Sequence, residues 1–240
     1  MGDVLSASAR RDEAIESYRK RLTISVRLAA SDPGNRAWQQ DLAAGHSKMG
    51  NALAATGRRE EALAAYRNSL AIAETNAAAD PGNGGWQRDL SIAYNKVGDM
   101  LEATGRRDEA LEAYRKDLAI TEKLAAADPG NADWQRDLSI SHDRIGDVML
   151  RTGRRDGAIE AYQKSLAIRQ KLTAADPGNA LWQSDLVISL MQLARAGSDA
   201  RARYAQALDI ARRLEAAGQL AGDQKGLVRL LTQELAKLGR

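Results

Sequence analysis

Cysteine and phenylalanine are both absent from the 240-residue chain. Without cysteine there is no disulfide framework and no thiolate metal site, and the redox compartment leaves no mark on the sequence. Aromatic residues amount to 4% and prolines number four. A core must therefore be built from Leu, Ile and Ala between closely packed elements, a mix that favours helix. No apolar run reaches the roughly 18 residues a membrane span needs. The opening Met1-Gly2-Asp3-Val4-Leu5 lacks the ordered basic, apolar and cleavage segments of a secretory signal. The expectation is a cytoplasmic chain with no membrane partner. Charge of one sign is missing too: 35 basic residues face 32 acidic ones, a net +3. That balance makes no polyanion footprint, and nucleic acid is not an expected partner.

What is present is a repeat, the feature that decides the fold when it occurs. Asp-Pro-Gly-Asn begins at Asp32, Asp80, Asp128 and Asp176, each 48 residues after the last. Trp38, Trp86, Trp134 and Trp182 follow the same step, as do Tyr18, Tyr66, Tyr114 and Tyr162. A second turn signal, Thr-Gly-Arg-Arg, starts at Thr56, Thr104 and Thr152. Two turn signals per unit imply two elements per unit. In the clearest copy the first element runs from about Ala132 to Thr152. Its apolar residues Trp134, Leu138, Ile145, Val148 and Met149 fall at helical steps. Asn131 is placed as N-cap, Pro129-Gly130 suits a type II turn, and Gly153 suits a left-handed C-cap. The second element runs from about Asp108 to Ala127, with Ala110, Tyr114, Leu118 and Leu124 inward.

The copies tile as a truncated repeat over 1–31, full repeats over 32–79, 80–127 and 128–175, a shortened repeat over 176–218, and a C-terminal cap over 219–240. The expected fold is all-α: one right-handed superhelical solenoid of antiparallel helix pairs. Atypical last units are expected of caps. The first copy starts midway through a helix, so the chain is expected to be a piece of a longer protein.

These residues resemble the tetratricopeptide repeat. The matching places read Val97-Gly98, Leu101, Gly105, Ala110 and Tyr114; then Met49-Gly50, Leu53, Gly57, Ala62 and Tyr66; then Ile145-Gly146, Met149, Gly153, Ala158 and Tyr162. The 48-residue unit exceeds the usual repeat of that family and looks like the long variants of bacterial multidomain signalling proteins. The resemblance implies a protein-interaction scaffold with the first helix of each pair lining a concave groove.

On that analogy the groove residues are Ser47, Lys48 and Asn51; Asn95, Lys96 and Asp99; and Asp143, Arg144 and Asp147. They form three rows that could bind a peptide or protein, or equally pair with one another along the helix. The alternative function is a structural or self-association module that stacks through its open N-terminal face, giving a homo-oligomer through the terminal repeats. Two further surfaces repeat: a basic edge at Arg10-Arg11, Arg58-Arg59, Arg106-Arg107 and Arg154-Arg155, and an acidic one at Asp32, Asp80, Asp128 and Asp176. Gly50, Gly98 and Gly146 are expected to mark close helix approach, with Ala62, Ala110 and Ala158 facing them. His46 and His142 share a repeat position with Tyr94 and Leu190, which reads as core or groove wall. No nucleophile, base and orienting group converge, so no enzyme, no catalytic residue, no metal site and no cofactor is expected.

Overall fold

The computed structural model describes residues 11–220 and 224–239. Among them every regular element of any length is an α-helix: α1 (Arg11–Ser31), α2 (Arg36–Ala55), α3 (Arg59–Ala79), α4 (Gly84–Ala103), α5 (Arg107–Ala127), α6 (Ala132–Arg151), α7 (Arg155–Ala175), α8 (Ala180–Arg195), α9 (Ala200–Ala216) and α10 (Leu227–Lys237). The broken first helix expected around Gly2 to Leu5 lies outside the described residues. The last helix, Leu227–Lys237, lies within the expected C-terminal cap.

The turn chemistry explains the boundaries. Asn35, Asn83, Asn131 and Asn179 each accept from the backbone N–H of the tryptophan three residues on, at 3.1–3.2 Å. Each cap therefore satisfies one of the four orphan donors at a helix start. At the other end Gly153 adopts φ +77°, which a residue with a side chain resists. Its N–H donates to Leu150 O and that of Arg154 to Met149 O, the Schellman closure of a helix.

The other turn differs from its expectation. Gly130 is not among the left-handed residues, so Asp-Pro-Gly-Asn is not a type II turn. Asn131 N–H donates to Asp128 O, and Gly130 N–H donates to the Asp128 carboxylate at 3.1 Å. The side chain of the aspartate folds the turn, as Asp and Asn commonly do. The repeated acidic edge is thus a row of turn-forming groups at Asp32, Asp128 and Asp176.

The helices fall into two compact units, Met1–Leu124 and Ala125–Arg240. Within each, a helix packs chiefly on its chain neighbours. The core of the first holds Leu63, Tyr66, Val97, Leu101, Leu111 and Tyr114. That of the second centres on Tyr162, Val187, Leu190, Leu193, Leu208 and Leu231. The internal glycines explain how two helices approach. A Cβ at Gly98 would lie 2.5 Å from Tyr114 Cε1, and the same holds at Gly50 against Tyr66 and Gly146 against Tyr162. The partner is the tyrosine ring, not the alanine expected to face it. The ring fills the notch that the missing side chain leaves.

Candidate binding cleft

The nine groove residues expected from the sequence have three different fates. Asn51, Asp99 and Asp147 each accept a hydrogen bond from the tyrosine fifteen residues on: Tyr66, Tyr114 and Tyr162, at 2.8, 2.8 and 2.7 Å. Burial raises the Tyr66 phenol to about 12 and drives Tyr162 further up, with Asp147 adding to it. These hydroxyls stay protonated and act as donors. The acceptor row is also used by the next repeat. Lys96 Nζ donates to Asn51 at 3.3 Å, and Gln192 Nε2, at the equivalent position, donates to Asp147 at 3.3 Å.

Asp143 has gone inside. It is 6% exposed and pairs with the equally buried Arg169 at 2.6 Å. Burial raises its carboxyl to about 6, against the opposing pull of Arg169. The guanidinium also donates to Ser139 Oγ, Ser189 Oγ and the Asp185 carbonyl, at 3.2, 2.8 and 2.9 Å. Asn95 and Arg144 are half-buried, and Lys48 lies half-exposed on α2.

Ser47 and Lys96 remain at a true opening. In the first unit, α2, α3 and α4 enclose a cavity of about 180 Å³. Its floor is Ala43, Ala73 and Ala93, with Trp86 and Ile92 at the mouth. Ile92 is 43% exposed, an apolar side chain facing water. Gln40 and Asp89 cross the rim, with the amide donating to the carboxylate at 2.9 Å. Arg36 stands over Trp86, 6.0 Å from its ring centroid, and donates to the buried Asn76 at 3.3 Å. The second unit holds a cleft of about 200 Å³ among Asp147, Arg151, Tyr162, Gln192 and Arg195.

Two structural rows went unread in the sequence although their signal is plain: every copy reads Trp-Gln-x-Asp-Leu. The glutamine donates to a carbonyl near the end of the preceding helix or the turn after it: Gln87 to Ala77 O, Gln135 to Ala125 O and Gln183 to Pro177 O. The aspartate receives a donor from the previous copy: Asp89 from Gln40, and Asp185 from Arg136 at 2.5 Å.

The basic edge is self-neutralised at two of its arginines. Arg58 and Arg106 each grip a glutamate three residues on with both arms of the guanidinium, at 2.5–2.7 Å. That contact holds Glu61 and Glu109 below the usual carboxylate range. Arg155 turns instead to the Ala196 carbonyl. His142 is buried, which lowers its imidazole to about 4, and His46 is lowered by the same cause. Among the described residues no three His, Asp or Glu side chains group to hold a metal, and no helix is long and apolar enough to cross a membrane.

The tetratricopeptide repeat profile matches residues 47–76 and 92–129. No curated protein matches the sequence. Among solved structures, the chain is similar to BtubC (BKLC) from P. vanneervenii: 17% identity, 94% of this chain and 81% of that one covered, TM-score 0.69. It is also similar to a candidate kinesin light chain of Podosopora anserina with nearly identical TPR-like repeats, at 18% identity, 92% and 94% coverage and TM-score 0.61. MamA follows at 18% identity, 90% and 97% coverage and TM-score 0.50. At these identities the likeness is one of fold: an all-α helical repeat solenoid.

Proposed function

We infer that the chain, whose residues 47–76 and 92–129 match the tetratricopeptide repeat profile, is a protein-interaction scaffold that holds a segment of a partner protein in the cleft of its first unit. The α2–α3–α4 cavity carries this reading. It is concave, mostly apolar, and set beside a few polar groups that can orient a ligand, as binding pockets generally are. Ser47 and Lys96 belong to it. Asn51 supports the wall from behind, since it holds the lining Tyr66. A role in a larger signalling or adaptor protein would suit a module of this kind.

The test is saturable binding of peptides selected from a random displayed library, measured by fluorescence polarisation. Lys96→Glu is expected to weaken it severalfold while leaving the helical circular dichroism unchanged. Charge reversal at Asp99 would be a poor probe, because it also strips Tyr114 of its acceptor. If no peptide is enriched over an empty matrix, the scaffold reading fails.

A second reading, self-association, has its own observation. Ile24, Val26 and Leu28 on α1 are 60%, 45% and 40% exposed. Val26 stands where the other copies carry Glu74, Glu122 and Gln170. If α1 docks on a second copy, light scattering will show mass rising with concentration, and Val26→Glu will abolish the rise.

A further inference from the structure

Two repeat lengths along the chain, the position of Ala73 is occupied by Arg169. The comparison extends to three more lining residues. Ala43, Ser47, Ala73 and Ala93 in the first unit correspond to Ser139, Asp143, Arg169 and Ser189 in the second. In the second unit those four side chains bond to one another, and the Arg169 chain occupies the space, 3% exposed. In the first unit the long side chain is gone, and so are three of its polar anchors. What is left is the cavity of about 180 Å³. The first unit therefore carries an open socket whose filling is visible in its sister repeat.

We propose that this socket receives one Leu or Met side chain of an acidic segment of a partner protein, and that Ala73 is the residue that makes it specific. The proposal rests on the scaffold reading above and names the partner's chemistry. The shape argues for Leu or Met. The space corresponds to that of an extended arginine chain among three helices, a slot that an unbranched or γ-branched side chain fills and a broad indole does not. The lining argues against arginine itself, because the carboxylate and both serine hydroxyls that hold Arg169 are replaced by Ser47, Ala43 and Ala93. Charge argues for the acidic neighbours. Lys96 leans on the neutral Asn51 and Arg36 on the neutral Asn76, each at 3.3 Å. The carboxylate among the described lining residues, Asp89, accepts from the Gln40 amide. A carboxylate on the ligand meets a cation at either end of the slot and displaces no existing ion pair.

The experiment uses random dodecapeptides displayed and selected on the full chain, with the best peptides synthesised and titrated. Two variants intrude on the socket, one filling it and one narrowing it. One transplants the sister lining: Ala43→Ser, Ser47→Asp, Ala73→Arg and Ala93→Ser together. The other is Ala73→Thr, the residue that the intervening copy carries at Thr121, where the hydroxyl bonds its own helix. Both are checked by thermal melting, and the single variant keeps the test valid if the transplant folds poorly. The expected result is a selected motif with one Leu or Met beside Asp or Glu. Replacing that Leu or Met by Ala should weaken binding about tenfold or more; the transplant should weaken it similarly, and Ala73→Thr measurably but less. Peptides that bind both variants as tightly as the unaltered chain would overturn the socket and leave the scaffold reading standing. A motif anchored by Trp, Arg or Lys would overturn the proposed occupant. An empty selection would overturn both readings.

Discussion

At the scale of single residues, contacts at this structure's glycines, histidine and buried carboxylate decide energies that composition hides. Gly98→Ala gains about 1 kcal/mol of helix propensity. It also drives a methyl to 2.5 Å from a fully buried tyrosine ring, and overpacking of that kind costs about 1–3 kcal/mol. The overpacking should win, with a net loss visible in urea denaturation and partly relieved by adding Tyr114→Leu. Asp143→Ala should cost more, about 3–5 kcal/mol, because it leaves the Arg169 cation buried and unpaired.

Two neighbours in sequence should respond to pH with opposite sign. Asp143 is raised to about 6 when folded, so between its unfolded value and pH 6 the folded chain holds the extra proton. Its contribution to stability falls as pH rises through that window. His142 is lowered to about 4, so the unfolded chain holds the extra proton between pH 4 and 6.5. Its contribution falls as pH drops. Melting curves should therefore show a steeper acid loss for Asp143→Asn and a shallower one for His142→Leu, the residue the last repeat carries at Leu190. Parallel profiles for the two variants would refute the assignment.

At the scale of elements, most of the fold could be read from the chain. Helices alternate with two turn signals, and the ends fall where Asn131 and Gly153 place them, because caps act locally. Asn131→Ala should cost about 1 kcal/mol, as should the same change at Asn83, measured by chemical denaturation. The turn type could not be read the same way. Pro-Gly suits a left-handed second position, but the Asp128 carboxylate offers Gly130 a hydrogen bond without it. The binding rows were legible only in part. Asn51, Asp99 and Asp147 look like solvent-facing groups in a one-dimensional helix pattern. Their tyrosine partners lie on another helix, and only tertiary packing brings the two together. The missed Gln and Asp rows make the converse point: an invariant polar residue in every copy signals an inter-element hydrogen bond, whichever face it occupies.

At the scale of the molecule, near-identity between copies turns each difference into an experiment on the others. The repeats over 80–127 and 128–175 agree at 30 of 48 places, so the scaffold is held constant while sockets vary. The reverse transplant exploits this: Ser139→Ala, Asp143→Ser, Arg169→Ala and Ser189→Ala together should open a second socket in the second unit. Opening a void of the size seen in the first unit, 180 Å³, costs about 4 kcal/mol at 24 cal/mol per Å³. The loss should appear as a lower melting temperature. Calorimetric titration with a peptide selected on the unaltered chain should then show a second equivalent bound. That second site carries Gln192 in place of Lys96 and Ala132 in place of Arg36, so it offers the apolar slot without the flanking cations. It should bind more weakly and show no preference for acidic neighbours. If it prefers them as strongly as the first, the preference does not come from Lys96 and Arg36. If the variant folds and still binds one equivalent, the space left by a side chain at position 73 or 169 does not control binding.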